Sequence, residues 1–144
     1  MGKIVRAYRV NEIVRTKAEE IIASVPEKMY RREAQAISDF VRDAIRYTQD
    51  VNGVETLKTP DRTLQDAQGD CDDKAMLVAA LWESIGIPAR FVAIAFAPDD
   101  FSHVYAEAKI GREWVAAETT ENVPFGWSPY DGTVPIISRL NWTV

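Results

Sequence analysis

Between Asn11 and about Ser24 the apolar residues Ile13, Val14, Ala18, Ile21, Ile22 and Val25 return at steps of three and four. That spacing is the period of a helix with one buried face, and it predicts one here. Asn11 stands where its side chain can cap the first turn, and Pro26 ends the element. A second helix is predicted from about Glu27 or Arg32 to Thr48, with Ile37, Phe40, Val41, Ala44 and Ile45 as its stripe. Arg31, Arg32, Asp39, Arg42, Asp43 and Arg46 fill its other side, a mixed charge that reads as a solvated face. From Asp50 to Gly69 the periodicity disappears, and Asn52, Gly53, Pro60, Asp61, Asp66 and Gly69 predict a long irregular connection. It ends where a third helix begins. Asp70 or Cys71 opens that helix, Asp72 and Asp73 occupy its first turn as capping and salt-bridging residues, and Ala75 to Ile85 form an apolar body closed by Gly86 and Pro88.

Beyond Pro88 the pattern changes period. Ala89 to Phe96 is almost continuously apolar over strand length, the signature of a central strand covered on both faces. Pro98-Asp99-Asp100 breaks it. Ser102 to Ile110 alternates, with His103, Tyr105, Glu107 and Lys109 on one face, while Val104, Ala106, Ala108 and Ile110 face the core. Gly111-Arg112 suits a two-residue turn, and Glu113 to Glu118 is the return strand. From Asn122 onward the tail reads as irregular cover, Trp127 and Tyr130 included, ending in a short strand around Ile136-Ile137. Trp82 and Trp114 read as packing aromatics. Helices followed by consecutive antiparallel strands define an α+β class.

Composition narrows the partners. With 144 residues and 47% hydrophobic content, residues 1–144 read as a single domain able to bury its own core. A formal net charge of −5 without a basic run argues against nucleic acid. A single cysteine rules out an internal disulfide and points to a reducing compartment. Neither a membrane-length apolar segment nor a signal-peptide core is present, so a cytoplasmic protein with no membrane partner is expected. One histidine and one cysteine cannot assemble a zinc site of soft ligands, and no cofactor or metal is expected.

The chemistry centres on Cys71. A thiolate at a helix N-terminus is stabilised by unpaired N–H groups and the helix dipole, whereas a lone cysteine elsewhere is a small buried hydrophobe. If Gly111 and Arg112 form the turn, Ile110 pairs with Glu113, Tyr105 lies opposite Glu118, and Glu118 becomes the diagonal neighbour of His103 on the same face. Glu121 falls on the opposite face and Asn122 beyond the ladder, so both are less favoured; a one-residue slip would reverse the choice. A histidine oriented by a carboxylate can act as base and acid, and a cysteine beside it can be held as thiolate. Sequence alone does not bring Cys71 to His103.

Three blocks link them. Gly69-Asp70-Cys71-Asp72-Asp73-Lys74-Ala75 with Gly86-Ile87-Pro88, then Ser102-His103-Val104-Tyr105-Ala106-Glu107, then Glu113-Trp114-Val115-Ala116-Ala117-Glu118-Thr119-Thr120 follow in order. Together they resemble the transglutaminase-like superfamily of papain-type thiol enzymes, especially its small prokaryotic members, over roughly Ile37 to Thr120. The resemblance implies a papain-like core, with Cys71 as nucleophile, His103 as base then acid, and Glu118 as orienting acid. The pattern departs at two positions, where an aspartate is expected at Glu118 and a proline at Thr119.

For the oxyanion, the Cys71 N–H is the expected first donor, and Gln65, six residues earlier, is the candidate second donor with Gln68 as competitor. The activity implied is thiol-dependent acyl transfer on amide bonds of a protein or peptide substrate, with hydrolysis favoured. The alternatives are transfer to an amine, as in a transglutaminase, and an inactive module that keeps the fold. Nothing in the sequence sets the oligomeric state.

Overall fold

The computed structural model describes residues 1–49, 57–97, 100–128 and 138–144. A short helix, α1 (Gly2–Tyr8), buries only Val5, too little apolar surface to show as a period. In α2 (Glu12–Ile22) the Asn11 side chain accepts hydrogen bonds from the N–H groups of Ile13 (2.9 Å) and Val14 (3.2 Å), the cap its sequence predicts. Val14 and Ala18 form the buried side of α2, while Ile13, expected in the stripe, is 45% exposed.

Helix α3 (Tyr30–Ala44) buries Ala34, Ile37, Ser38 and Val41. It stops four residues short of the expected Thr48. Ile45 is extended, and Arg46–Tyr47 form β1, paired in parallel with β2 (Gln68–Gly69). The reason is competition for backbone partners: Arg46 N–H donates to Ala67 O and Thr48 N–H to Gly69 O, both at 2.9 Å. Isoleucine, tyrosine and threonine also suit extended chain. Within the expected irregular connection, residues 60–66 form α4 (Pro60–Asp66), with proline in its first turn and Ala67 in the left-handed conformation at its end. Asp50, Asn52 and Gly53 lie outside the described residues.

Helix α5 (Cys71–Ser84) begins on a capping box. Asp70 Oδ1 accepts from Asp73 N–H (2.9 Å), and Asp73 Oδ2 accepts from Asp70 N–H (3.2 Å). Asp73 is therefore a buried cap; its Oδ1 also accepts from Lys58 N–H at 2.9 Å. From Asp73 to Trp82 every residue is buried, so α5 is a central helix rather than an amphipathic one. The other helices pack around it, and the sheet covers its remaining side. Trp82 packs here, its Nε1–H donating to Ala34 O at 3.1 Å.

Gly69 fixes where α5 starts. A Cβ at this position would lie 2.7 Å from Asp73 Cβ, closer than carbon atoms approach. Gly69→Ala is expected to cost about 1–3 kcal/mol by overpacking, measured as a lower urea midpoint; an unchanged midpoint would mean that the capping box can move.

The sheet contains β3 (Ala89–Ala97), β4 (Asp100–Ile110), β5 (Glu113–Ala117) and β6 (Ser138–Thr143) in the order β5-β4-β3-β6, antiparallel throughout. β3 is interior, as its continuous apolar run predicts. β6 supplies the returning strand; Ile136, Ile137 and Tyr130 lie outside the described residues. The polar face of β4 is not open as its alternation suggests, since Tyr105 and Glu107 are buried along with Val104, Ala106 and Ala108. Tyr105 joins Val92, Ile94 and Ala116 in a second small cluster. Glu107 pairs with Arg90 at 2.5 Å, and Arg90 lies over the Trp114 ring. Ion pairing lets an acid sit on a covered face that alternation alone assigns to water.

Candidate active site

Cys71 is the first residue of α5 and half-buried. The first intrahelical bond at this end runs from Lys74 N–H to Asp70 O (3.0 Å), so the Cys71 N–H precedes it and lies at the positive end of the helix. The thiol opens into a cleft of about 460 Å³ whose walls include Tyr47, Asp72, Phe101, His103 and Trp142.

His103 reaches this cleft from β4, where it pairs across the sheet with Ile94. Its Nε2–H donates to Glu118 Oε2 at 2.5 Å, which leaves Nδ1 for the hydrogen bond with Cys71. Burial works against a charged imidazole. The hydrogen bonds to Cys71 and Glu118, together with their negative charges, outweigh it and push the His103 pKa up to about 10. The ring is then an imidazolium at neutral pH, bonded on its two sides to Cys71 and Glu118.

Glu118 follows β5 directly and is 3% exposed. The hairpin register runs from Ile110 opposite Glu113 to Ala106 opposite Ala117, the alignment that the Gly111-Arg112 turn predicts. One residue further on, Glu118 comes level with Tyr105 and bonds diagonally to His103. Its second oxygen is also engaged, since Oε1 accepts from Thr120 Oγ1–H (2.7 Å) and Thr120 N–H (3.1 Å). Thr120 is a holder that the sequence reading missed. A threonine two residues after an acid, able to fold its hydroxyl and N–H back onto the carboxylate, was the available signal. Glu121 and Asn122 are exposed.

Gln65 is not at the site. It lies exposed on α4 and does not line the cleft, because the turn between α4 and β2 directs that helix face to solvent. Gln68 is also engaged elsewhere, its Oε1 accepting from Arg46 at 2.9 Å. Tyr47 of β1 and Gln49, two residues further on, do line the cleft. Burial raises the Tyr47 pKa, and the charges of Cys71, Asp70 and Glu121 add to this against a lowering hydrogen bond to Gln49, so the phenol keeps its proton. Among the described residues no group of three histidine, cysteine or acidic side chains is arranged to hold a metal ion. Also among the described residues, no helix is long and apolar enough to cross a membrane.

Residues 15–119 match the sequence profile of the transglutaminase-like superfamily. No curated protein matches the chain. Among solved structures, a candidate cysteine protease from Cytophaga hutchinsonii superposes with a TM-score of 0.61 at 21% identity, covering 91% of this chain and 50% of that one. A candidate protease from Parabacteroides distasonis gives 0.65 at 13% identity, over 85% of this chain and 26% of that one. Calcium-bound LapG of Legionella pneumophila gives 0.65 at 16% identity, over 89% of this chain and 76% of that one. The chain thus spans half the length of the first and about a quarter of the second, and at these identities the likeness is one of fold.

Proposed function

We propose, for a chain that belongs to the transglutaminase-like superfamily, that Cys71, His103 and Glu118 form a thiol centre for acyl transfer on amide bonds, with hydrolysis of a protein or peptide substrate as its main outcome. The observation that carries this reading is the single imidazole bonded to both the thiol and a buried carboxylate. In this scheme the Cys71 thiolate attacks the carbonyl carbon, forming a C–S bond and an oxyanion. His103 gives its proton to the amide nitrogen as the C–N bond breaks, and an amine leaves. Water then attacks the thioester, His103 takes a proton from it, and the C–S bond breaks to release a carboxylic acid and restore the thiolate–imidazolium pair.

Glu118 keeps one tautomer and one orientation of the ring throughout, because both its oxygens are bonded. The Cys71 N–H serves as one oxyanion donor, and Tyr47 and Gln49 are the cleft side chains able to supply another. Hydrolysis is favoured over transfer to an amine because Tyr47 and Phe101 on the cleft wall are exposed, so the thioester is open to solvent and water is by far the more abundant nucleophile. The two named proteases of similar fold support the same choice.

The test is the pH profile of Cys71 alkylation by iodoacetamide. An ordinary thiol, with a pKa of about 8.5, loses reactivity steeply below neutrality. Cys71 is expected to alkylate at pH 6 at nearly its pH 9 rate, whereas an ordinary titration would exclude an ion-paired thiolate. Peptide-library profiling with and without a primary amine then separates hydrolysis from transamidation.

A further inference from the structure

One ionisable group beside this centre has no part in the scheme above. Lys74 is a turn beyond Cys71 on α5, on the same side of the helix, and is 2% exposed. Its Nζ donates to Ile45 O at 2.6 Å and to Arg42 O at 3.4 Å, carbonyls at the C-terminal end of α3 that have no helical partner of their own. Lys74 also lines a cavity of about 420 Å³ together with Thr119 and Thr120, the turn that grips Glu118. The ionised groups facing it are Glu118, from the end of β5, and Asp43, from α3. The nearby Arg42 guanidinium turns to Asp39 (3.2 Å) and Asp43 (2.7 Å), and Tyr47 of β1 borders the same cavity.

We propose that Lys74 is a positioning residue of the thiol centre, an inference that rests on that centre being catalytic: its buried ammonium ties the nucleophile's helix to the end of α3 and supplies the positive charge behind Glu118. Three parts of the site come together around this contact. The end of α3 leads directly into β1, which carries Tyr47 into the cleft. The Thr119-Thr120 turn sets the Glu118 carboxylate, and Cys71 is fixed by α5 itself. A purely structural cap would need the hydrogen bonds but not the charge, and that difference is measurable. Burial lowers the Lys74 pKa to about 8, against the raising influence of Glu118 and Asp43, whereas His103 holds its proton to about 10. As pH rises through about 8 the ammonium is therefore discharged while the imidazolium persists, and acyl transfer should decline on that limb.

The experiment measures Cys71 acylation by p-nitrophenyl acetate from pH 6 to 9.5, with iodoacetamide alkylation in parallel, in the wild type, Lys74→Met and Lys74→Arg. The wild-type acylation rate is expected to fall with an apparent pKa near 8. Lys74→Met should acylate about tenfold more slowly at pH 7, the size of one missing charge near the reacting groups, and should lack the limb at pH 8. In Lys74→Arg, whose guanidinium stays charged, the limb should move above pH 9. A folded Lys74→Met with wild-type rate and profile would overturn the proposal. If Lys74→Met does not fold, the wild-type profile still decides, because a rate that stays flat or rises through pH 8 is incompatible with it. No acylation of the wild type, with an ordinary alkylation profile, would remove the thiol centre itself. Normal wild-type acylation with unaffected variants would remove only the role of Lys74.

Discussion

Cys71→Ala is expected to lower acyl transfer by about 10⁴-fold or more, the scale on which loss of a nucleophile acts in enzymes whose catalytic groups work as a unit. Cys71→Ser should be nearly as inactive, although it differs by one atom. A serine hydroxyl does not ionise beside an imidazolium, so the ion pair proposed for His103 and the thiol would have no counterpart. Either variant removes the Cys71 contribution that raises the His103 pKa, which should therefore fall from about 10. The measurements are turnover of a peptide identified by library profiling and NMR titration of the single histidine. Substantial turnover by Cys71→Ala would end the thiol mechanism, since no second cysteine exists to replace it.

Glu118→Gln is expected to cost about 10²–10³-fold in rate, because an orienting carboxylate fixes the tautomer and supports the imidazolium. The neutral amide should also be visible in stability. His103 binds its proton more tightly in the folded chain, at about 10 against 6.5 for the free side chain. Its contribution to folding is thus complete below about pH 6.5 and is lost as the pH climbs through about 10. The stability deficit of Glu118→Gln should accordingly be greatest near pH 6 and shrink toward pH 10, as followed by urea denaturation at each pH. Glu118→Asp keeps the charge on a side chain one methylene shorter. It should lose about tenfold in rate through misplacement alone, with the pH dependence of stability preserved. If Glu118→Gln matched the wild type in both rate and profile, the hydrogen bond to His103 would have no catalytic role.

Much of this arrangement was legible in the chain because it is local or periodic. Asn11 and Asp70 announce their helices by capping chemistry, and the alternation around Gly111-Arg112 sets a register that carries Glu118 to His103 without knowledge of the rest of the fold. The misreadings share a physical origin. Helices α1 and α4 are too short to display a period. The end of α3 is decided by Lys74 and by the pairing of β1 with β2, both long-range events. Gln65 was chosen by its distance along the sequence, but it belongs to α4 and its position on that helix is exposed. Lys74 sits in an otherwise apolar stretch, and its burial is made tolerable by partners distant in the sequence, the carbonyls at the end of α3 and the charges of Glu118 and Asp43.

The hairpin bearing His103 and Glu118 also governs how such a centre can diverge. Side chains along β5 alternate faces, so inserting one residue between Trp114 and Ala117 would turn the acid to the wrong side of the sheet, and inserting two would restore the side but slide it by about 7 Å along the strand. Length variation within this strand therefore comes in steps, none of which keeps the acid at the histidine. Substitution at a constant position is the change the geometry tolerates, and a glutamate where the superfamily pattern has aspartate is a change of that kind: identity drifts while strand length stays fixed.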